Sequence, residues 1–241
     1  MNVLVTAGNT QTLIDKVRCI TNIFTGRTGA SLALEAWRRG HRVRLVTSHP
    51  EVVVDLARGL KNFPDERWSV STYRTFDDLH VLLETNLRGD GLDAVLHTAA
   101  VSDYRAAGIF APDSTATFDE RTGAVQGRFI DRAAGKIKSA EPELWLRLIR
   151  TPKLVDLFRE PWGFRGLVVK FKLEVDKTMP ELIAIGEHSR RQSQADFMVI
   201  NTLEEAADWA LVGPLDGQYP LVPRGELARR VIDVIEQSFD R

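Results

Sequence analysis

Short apolar runs alternate with amphipathic stretches along most of the chain. The run 3–5 is rich in β-branched residues and too short for a helix, which predicts a buried parallel strand. Six further strands are predicted at 43–48, 69–73, 92–100, 144–150, 167–174 and 195–201. Helical patterns with one apolar face separate them, at 28–39, 53–60, 79–87, 151–158 and around Leu182 and Ile185. This alternation predicts an α/β, Rossmann-like three-layer fold with a mostly parallel central sheet.

Two regions depart from that alternation. At the C-terminal end, the runs 209–212 and 219–222 flank a Pro-Leu-Asp-Gly turn, which predicts a β-hairpin before a last amphipathic helix. Between 106 and 135 the periodicity disappears among scattered Gly and Pro residues, which predicts a long irregular loop, called the flap below, that is either disordered or a lid. With 241 residues, the chain is expected to form a single domain over 1–241.

Composition excludes several classes of protein. The net charge of −1 gives no broad electrostatic attraction, so we expect no nucleic-acid or membrane partner. The single cysteine, Cys19, rules out an intramolecular disulfide and fits a reducing compartment. No basic leader precedes the first strand, and no apolar run reaches the roughly 18 residues of a membrane-spanning helix. We therefore expect a soluble, cytoplasmic protein.

A long insert separates the first strand from the first helix. In an α/β sheet, this strand–loop–helix junction binds phosphates, because backbone N–H groups and the positive helix end face an anion there. Gly8 in the loop is accordingly a candidate nucleotide contact. A plain dinucleotide fold has a turn of about two to six residues here, whereas this chain has about twenty. The insert carries Asp15, Arg18 and Asn22, and we predict that it belongs to a ligand site rather than being a solvated excursion.

The insert contains a recognisable signature. It reads Ile14-Asp15-x-Val17-Arg18-x-Ile20-x-Asn22, followed by Thr25-Gly26-Arg27. This resembles the ligase half of the phosphopantothenoylcysteine-forming flavoprotein family, whose signature is roughly GGT-x-x-x-IDPVR-x-ISN-x-SSGK-x-G. The chain departs from it at Asn9, Lys16, Thr21 and Arg27. The resemblance implies that Asp15, Arg18, Asn22 and Gly26 bind substrate, and that Asn22 also acts in catalysis by holding the acyl-nucleotide and shielding it from water.

Further motifs of that family follow in the same order. Ala99-Ala100-Val101-x-Asp103-Tyr104 is similar to its AAV-x-DY segment, and 136–138 is similar to its KIK motif. Ala195-Asp196 through Asn201 is similar to its AD-x-x-x-AND segment. The resemblance implies catalytic phosphate contacts from Lys136, and nucleotide contacts from Ala99, Ala100, Asp103, Lys136, Thr151, Pro152 and Phe171.

One helix departs clearly from the family. Two lysines, four residues apart, commonly contact the triphosphate there, and an ungapped alignment puts His188 and Gln192 at those positions. Arg190 and Arg191 are the candidates to reach the same phosphates with a different geometry. A solvated helix face is the alternative.

The resemblance as a whole implies a stand-alone phosphopantothenate–cysteine ligase of coenzyme A biosynthesis. It implies CTP rather than ATP as co-substrate, Mg²⁺, no flavin, small-molecule substrates, and a homodimer formed through the flap; the metal ligands stay open. Two alternatives remain. One is a catalytically weakened relative that binds nucleotide. The other is an NAD(P)-dependent short-chain reductase, which should carry Tyr-x-x-x-Lys, a pattern that none of the three tyrosines begins.

Overall fold

The computed structural model describes residues 1–89, 91–138 and 140–239. Within them the chain forms fifteen strands: β1 (Asn2–Ala7), β2 (Gln11–Leu13), β3 (Cys19–Thr21), β4 (Arg42–Thr47), β5 (Trp68–Thr72), β6 (Ala94–His97), β7 (Tyr104–Pro112), β8 (Thr117–Asp119), β9 (Ala124–Gln126), β10 (Phe129–Asp131), β11 (Trp145–Arg150), β12 (Leu167–Glu174), β13 (Phe197–Thr202), β14 (Trp209–Gly213) and β15 (Leu221–Pro223). The α-helices of the same residues are α1 (Arg27–Arg38), α2 (Pro50–Leu56), α3 (Phe76–Leu87), α4 (Met179–Gln192) and α5 (Leu227–Phe239). Two short 3-10 helices cover Leu154–Leu157 and Arg224–Glu226.

Eight strands form the central sheet, in the order β15-β14-β13-β12-β6-β1-β4-β5. The six from β13 to β5 are parallel, and β14 and β15 add an antiparallel edge. Alternate residues of β1 explain the layers, because Val3 and Val5 pack with α1, α2 and α5, whereas Leu4 packs with α3 and the 154–157 helix. The predicted three-layer, mostly parallel fold with a C-terminal hairpin and helix is confirmed.

The predicted irregular loop over 106–135 is wrong, because that stretch is largely β-structure. β7 pairs with β10 and β11 in a three-stranded antiparallel sheet, and β8 and β9 form a hairpin beside it. We call β7 to β11 the arm. Several residues that suggested a loop lie at strand ends or irregularities: Pro112 closes β7, Gly123, with a φ of +70°, lies in the turn from β8 to β9, and Gly108 lies beside a register shift within the β7–β11 pair. Pairing between β7 and β11 is distant in sequence, so no local pattern revealed it.

Two other boundaries need correction. The strand predicted over 92–100 is only Ala94–His97, and the residues after it form a loop at the sheet edge. The helix predicted over 151–158 is instead a short 3-10 helix, Leu154–Leu157, with Lys153 as its N-cap. Thr151 lies before it, and its hydroxyl donates a 2.8 Å hydrogen bond to the carbonyl of Ser102.

Candidate functional site

A cleft of about 480 Å³ opens at the carboxyl ends of the parallel strands. A volume of this size suits a small-molecule ligand. Seven of the residues predicted from the sequence line it: Gly8, Asn22, Gly26, Ala99, Ala100, Asp103 and Phe171. The structure thus brings together segments from the insert, the end of β6 and the end of β12, at the sheet edge where α/β proteins bind their ligands.

Gly8 and Gly26 both line the cleft, and their backbones lie against each other. Gly8 has a φ of +88° and Gly26 a φ of +82°, which only glycine adopts without strain. A Cβ on Gly26 would collide with the backbone nitrogen of Gly8, and a Cβ on Gly8 would collide with the Ser48 hydroxyl. The insert can therefore return to the start of α1 only because both positions lack side chains. Gly26 is the N-cap of α1 and supplies no capping side chain to its first N–H groups.

Asn9, a departure from the family signature, joins the insert to the sheet. Its side-chain amide donates a 2.6 Å hydrogen bond to the carbonyl of Asn22, and its backbone nitrogen donates to the Ser48 hydroxyl at 2.8 Å. Asn22 itself is exposed, and its amide nitrogen donates to the carbonyl of Ala100 at 3.1 Å. Its side chain therefore spans the cleft mouth, from the insert to the loop after β6.

Asp103 is held in place by neighbours that do not line the cleft. The backbone nitrogen of Thr151 donates to the carbonyl of Asp103 at 2.9 Å, and Thr10 accepts a 2.8 Å hydrogen bond from the nitrogen of Ser102. The Asp103 side chain is 64% exposed, with Lys153 Nζ 3.9 Å away. Thr151 and Pro152, both predicted to contact nucleotide, lie outside the cleft lining, and Thr151 supports the loop that carries Asp103.

Asp15 and Arg18 lie outside the cleft lining and join the insert to the KIK motif. The buried Asp15 carboxylate accepts hydrogen bonds from the Arg18 guanidinium at 2.6 Å and from the nitrogen of Ile137 at 3.1 Å. Arg18 also donates to the carbonyl of Ile137 at 2.9 Å. Arg18 and the Ile137 N–H hold the pKa of the Asp15 carboxyl well below its usual range. Two motifs more than a hundred residues apart are therefore docked on one carboxylate.

Lys136 is exposed and lies outside the cleft lining. Its neighbour Ile137 is buried, and the hydrogen bond from the Ile137 backbone nitrogen to Asp15 positions the adjacent backbone of Lys136.

The structure also places Arg190 and Arg191 away from the cleft. Both pair with Glu187, at 2.6 and 3.1 Å, and Arg190 donates to the carbonyl of Ala195 at 3.0 Å. Ala195 leads into the amino end of β13, whereas Asn201 near the carboxyl end of that strand lines the cleft. The two arginines are therefore at the opposite edge of the sheet from the cleft.

Three cations that the sequence reasoning did not select line the cleft: Arg27, Lys172 and Arg224. Arg27 and Lys172 each lie within one residue of a predicted contact, Gly26 and Phe171, so inspection of those motifs for nearby charge could have found them. Arg224 lies outside every motif, after the C-terminal hairpin, and only the three-dimensional packing of that hairpin brings it to the cleft.

Two searches of the described residues gave no result. Across 1–89, 91–138 and 140–239, no group of three or more His, Cys, Asp or Glu side chains is arranged to hold a metal ion. Among the helices in the same ranges, none combines the length and apolar character needed to cross a membrane.

Comparison with known sequences identifies relatives over the whole chain. Residues 1–112 match the family model of the DNA/pantothenate metabolism flavoprotein C-terminal domain. The coenzyme A biosynthesis bifunctional protein CoaBC of Thermococcus kodakarensis is 32% identical over 244 aligned residues, covering 98% of this chain and 51% of the relative. The CoaBC of Methanocaldococcus jannaschii is 23% identical, covering 84% of this chain and 41% of that protein. The chain thus spans about half the length of the curated relatives it matches.

Solved structures share the fold. The DNA/pantothenate metabolism flavoprotein from Streptococcus pneumoniae aligns with a TM-score of 0.77 and 26% identity, covering 99% of both chains. A Cab2 variant in complex with phosphopantothenate-cysteine aligns with a TM-score of 0.69 and 17% identity over 99% of this chain and 86% of that one, which shows the fold alone. Through the family model over 1–112, the sequence relatives and the shared fold, the chain is similar to the family of the DNA/pantothenate metabolism flavoprotein C-terminal domain.

Proposed function

We propose that this chain is a phosphopantothenate–cysteine ligase of coenzyme A biosynthesis. The observation that carries the proposal is the meeting of three motif segments in one cleft: Asn22 and Gly26 from the insert, Ala99 to Asp103 after β6, and Phe171 on β12. The similarity of the chain to the CoaBC proteins and to the DNA/pantothenate metabolism flavoprotein C-terminal domain supports the same activity.

The proposed reaction has two steps. In the first, a carboxylate oxygen of phosphopantothenate attacks the α-phosphorus of the nucleoside triphosphate; the bond to the β-phosphate oxygen breaks and pyrophosphate leaves with the electron pair. In the second, the amine of cysteine attacks the acyl carbon of the resulting acyl-nucleotide, loses a proton and releases the nucleoside monophosphate. Activation is needed because a carboxylate is a poor acyl donor, and the anhydride divides one difficult step into two easier ones.

Each cleft residue has a task in this scheme. Small side chains at Ala99 and Ala100 let the nucleoside approach the backbone, Phe171 packs against it, and the exposed Asp103 carboxylate accepts its hydrogen bonds. Asn22 offers its amide oxygen and residual N–H to the acyl phosphate without adding charge. Lys136 offsets negative charge on the phosphates, and it would reach them from outside the cleft lining.

Mg²⁺ is proposed to arrive with the nucleotide. This ion is usually held by substrate phosphates, waters and one or two carboxylates rather than by a dedicated protein cage. Asp103 is the carboxylate among the cleft-lining residues, which suits that mode of binding. The chain's part is then to orient the triphosphate, whereas the ion supplies charge neutralisation.

The test is incubation with phosphopantothenate, cysteine, Mg²⁺ and each nucleoside triphosphate in turn, with pyrophosphate and amide product followed together. We expect amide formation with CTP in preference to ATP, as in the bacterial-type ligases that the motifs resemble. Equal use of both nucleotides, or use of ATP alone, would contradict the CTP preference. Binding of a triphosphate without any amide product would favour the weakened relative, an alternative motivated by the departures from the family signature at Asn9, Arg27, His188 and Gln192.

We also propose a homodimer formed through the arm. The arm exposes large apolar side chains, Phe118, Val125, Leu144 and Leu148 among them, which a second copy of the chain would cover. Sedimentation at micromolar concentration should give twice the monomer mass. A monomer with full activity would contradict the proposal.

A further inference from the structure

Arg224 brings a cation to the cleft from the C-terminal part of the chain. It begins the short helix Arg224–Glu226 between β15 and α5. Its backbone nitrogen donates a 2.8 Å hydrogen bond to the carbonyl of Asp208, which precedes β14. The backbone of this arginine is therefore fixed by the sheet edge, while its half-buried side chain lines the cleft.

The guanidinium of Arg224 has no ion-pair partner within the described residues. Its side-chain hydrogen bond there is to the hydroxyl of Thr28, in the first turn of α1. Other half-buried arginines behave differently: Arg39 meets three carboxylates, and Arg159 meets Asp196 at 2.7 Å. A guanidinium carries five N–H donors, and burying such a cation without an anion is costly. Burial alone lowers the pKa of Arg224, which agrees with a cation left without a counter-charge.

The surroundings of Arg224 are otherwise poor in negative charge. The other cleft-lining cations are Arg27, which begins α1, and Lys172, which pairs with Glu174 at 2.7 Å. The carboxylate in the lining, Asp103, faces Lys153 instead. Arg224 and Arg27 therefore give the α1 side of the cleft a net positive charge, which selects an anionic group of the ligand.

We propose that Arg224 binds the two terminal phosphates of the nucleoside triphosphate and holds them as the pyrophosphate leaving group. This inference builds on the proposed ligase function. A planar guanidinium suits two phosphate oxygens at once, better than a point charge does. Its partner Thr28 lies at the strand–loop–helix junction, where α/β folds bind phosphates. As the α-phosphorus bond breaks, negative charge grows on the departing pyrophosphate, and Arg224 stabilises that charge.

Binding of inorganic pyrophosphate tests this assignment without any turnover. Isothermal calorimetry would compare the wild-type chain with Arg224→Gln, Arg224→Lys and the matched control Arg229→Gln. Arg229 is exposed on α5, five residues further along, and pairs with Glu226. We expect Arg224→Gln to weaken pyrophosphate binding about tenfold or more, Arg224→Lys to recover part of the loss, and the control to match wild type. Unchanged binding in Arg224→Gln would overturn the proposal.

Steady-state kinetics separates the two phosphate-bearing substrates. The KM for the triphosphate should rise in Arg224→Gln, whereas the KM for phosphopantothenate should not. A rise for phosphopantothenate alone would assign Arg224 to its phosphate monoester and overturn the proposal. If Arg224→Gln fails to fold, Arg224→Lys keeps the charge without the planar fork and should still weaken pyrophosphate binding several-fold. If the wild-type chain forms no amide but binds pyrophosphate through Arg224, the ligase assignment fails and this inference stands.

Discussion

The central sheet is stabilised by burial of its side chains, whereas the arm is largely exposed and is held to the insert by hydrogen bonds. Strand β1 is buried between two helical layers, with Val3, Leu4 and Val5 at 0% exposure, whereas every residue of β8 and β9 is exposed. The arm contacts the insert through hydrogen bonds, such as the one that the backbone nitrogen of Ile137 donates to the Asp15 carboxylate. The cleft is therefore built on the buried central sheet, whereas the KIK motif near it is positioned by a few hydrogen bonds. We infer that nucleotide binding depends on the central sheet, and that the reaction at the phosphates depends on the contact between the arm and the insert.

Replacing Lys136 of the arm should have the largest effect on the reaction at the phosphates. If Lys136 offsets charge on the phosphates, Lys136→Gln should slow pyrophosphate release about a hundredfold, which corresponds to roughly 3 kcal/mol of transition-state stabilisation. Nucleotide binding should change much less, because Lys136 lies outside the cleft lining. Pyrophosphate release in single turnovers is the measurement. Lys138→Gln, an exposed lysine of the same motif, is the control, and equal rates in Lys136→Gln and wild type would make Lys136 a solvated loop residue.

Weakening the contact of Asp15 with Arg18 and Ile137 should also slow pyrophosphate release, but by less than Lys136→Gln does. Asp15→Asn replaces one carboxylate oxygen by an N–H₂ group, which cannot accept the bonds from Arg18 and Ile137. We expect about a tenfold loss of pyrophosphate release, because Lys136 is retained but less well placed. The lowered pKa of Asp15 means that the contact is complete above the ordinary pKa near 3.8 and is lost as the pH falls through the folded-state pKa.

A double variant sharpens that prediction. If Asp15 acts through Lys136, Asp15→Asn should add little to the loss already caused by Lys136→Gln. Fully additive losses would show that Asp15 acts elsewhere. Asp119→Asn is the matched control, since among the described residues the side chain of this arm aspartate accepts its hydrogen bonds from Arg121 and Thr122 in its own turn.

Substitution of Asn22 at the opening of the cleft should alter amide formation, the second step, rather than pyrophosphate release, the first. Asn22→Asp adds a negative charge beside the proposed acyl-nucleotide, which should lower the ratio of amide to pyrophosphate about fivefold or more. Asn22→Ala separates charge from geometry, because both variants lose the bond to the Ala100 carbonyl but only one gains a carboxylate. A wild-type ratio in Asn22→Asp, at whatever rate, would mean that Asn22 does not act on the intermediate.

The sequence predicted the central sheet and its ligand edge well for a physical reason. Strands such as β1 and β6 are buried on both faces, so they read as continuous apolar runs, and Gly8 and Gly26 mark positions where only glycine fits. The cleft residues adjacent to those runs were accessible to the same reasoning.

The arm and the charged parts of the site were not predictable in this way. Strands β7 and β11 of the arm pair across a long sequence distance, and the strands of the arm expose many of their side chains, so no hydrophobic pattern marks them. Asn9 and Arg224 act through contacts with Ser48 and Thr28 that only the folded chain creates. Arg190 and Arg191 were predicted from their charge and from their place on the helix where the family carries two lysines, but the direction of α4 carries them to the opposite edge of the sheet.

Trapping the acyl-nucleotide would show directly whether the proposed two-step reaction takes place. The wild-type chain would be mixed with phosphopantothenate, Mg²⁺ and CTP while cysteine is withheld, and the bound species identified by mass spectrometry. We expect an acyl-cytidylate to form together with pyrophosphate, and to be converted to the amide when cysteine is added. Release of CDP and inorganic phosphate, or of pyrophosphate when phosphopantothenate is omitted, would contradict this expectation.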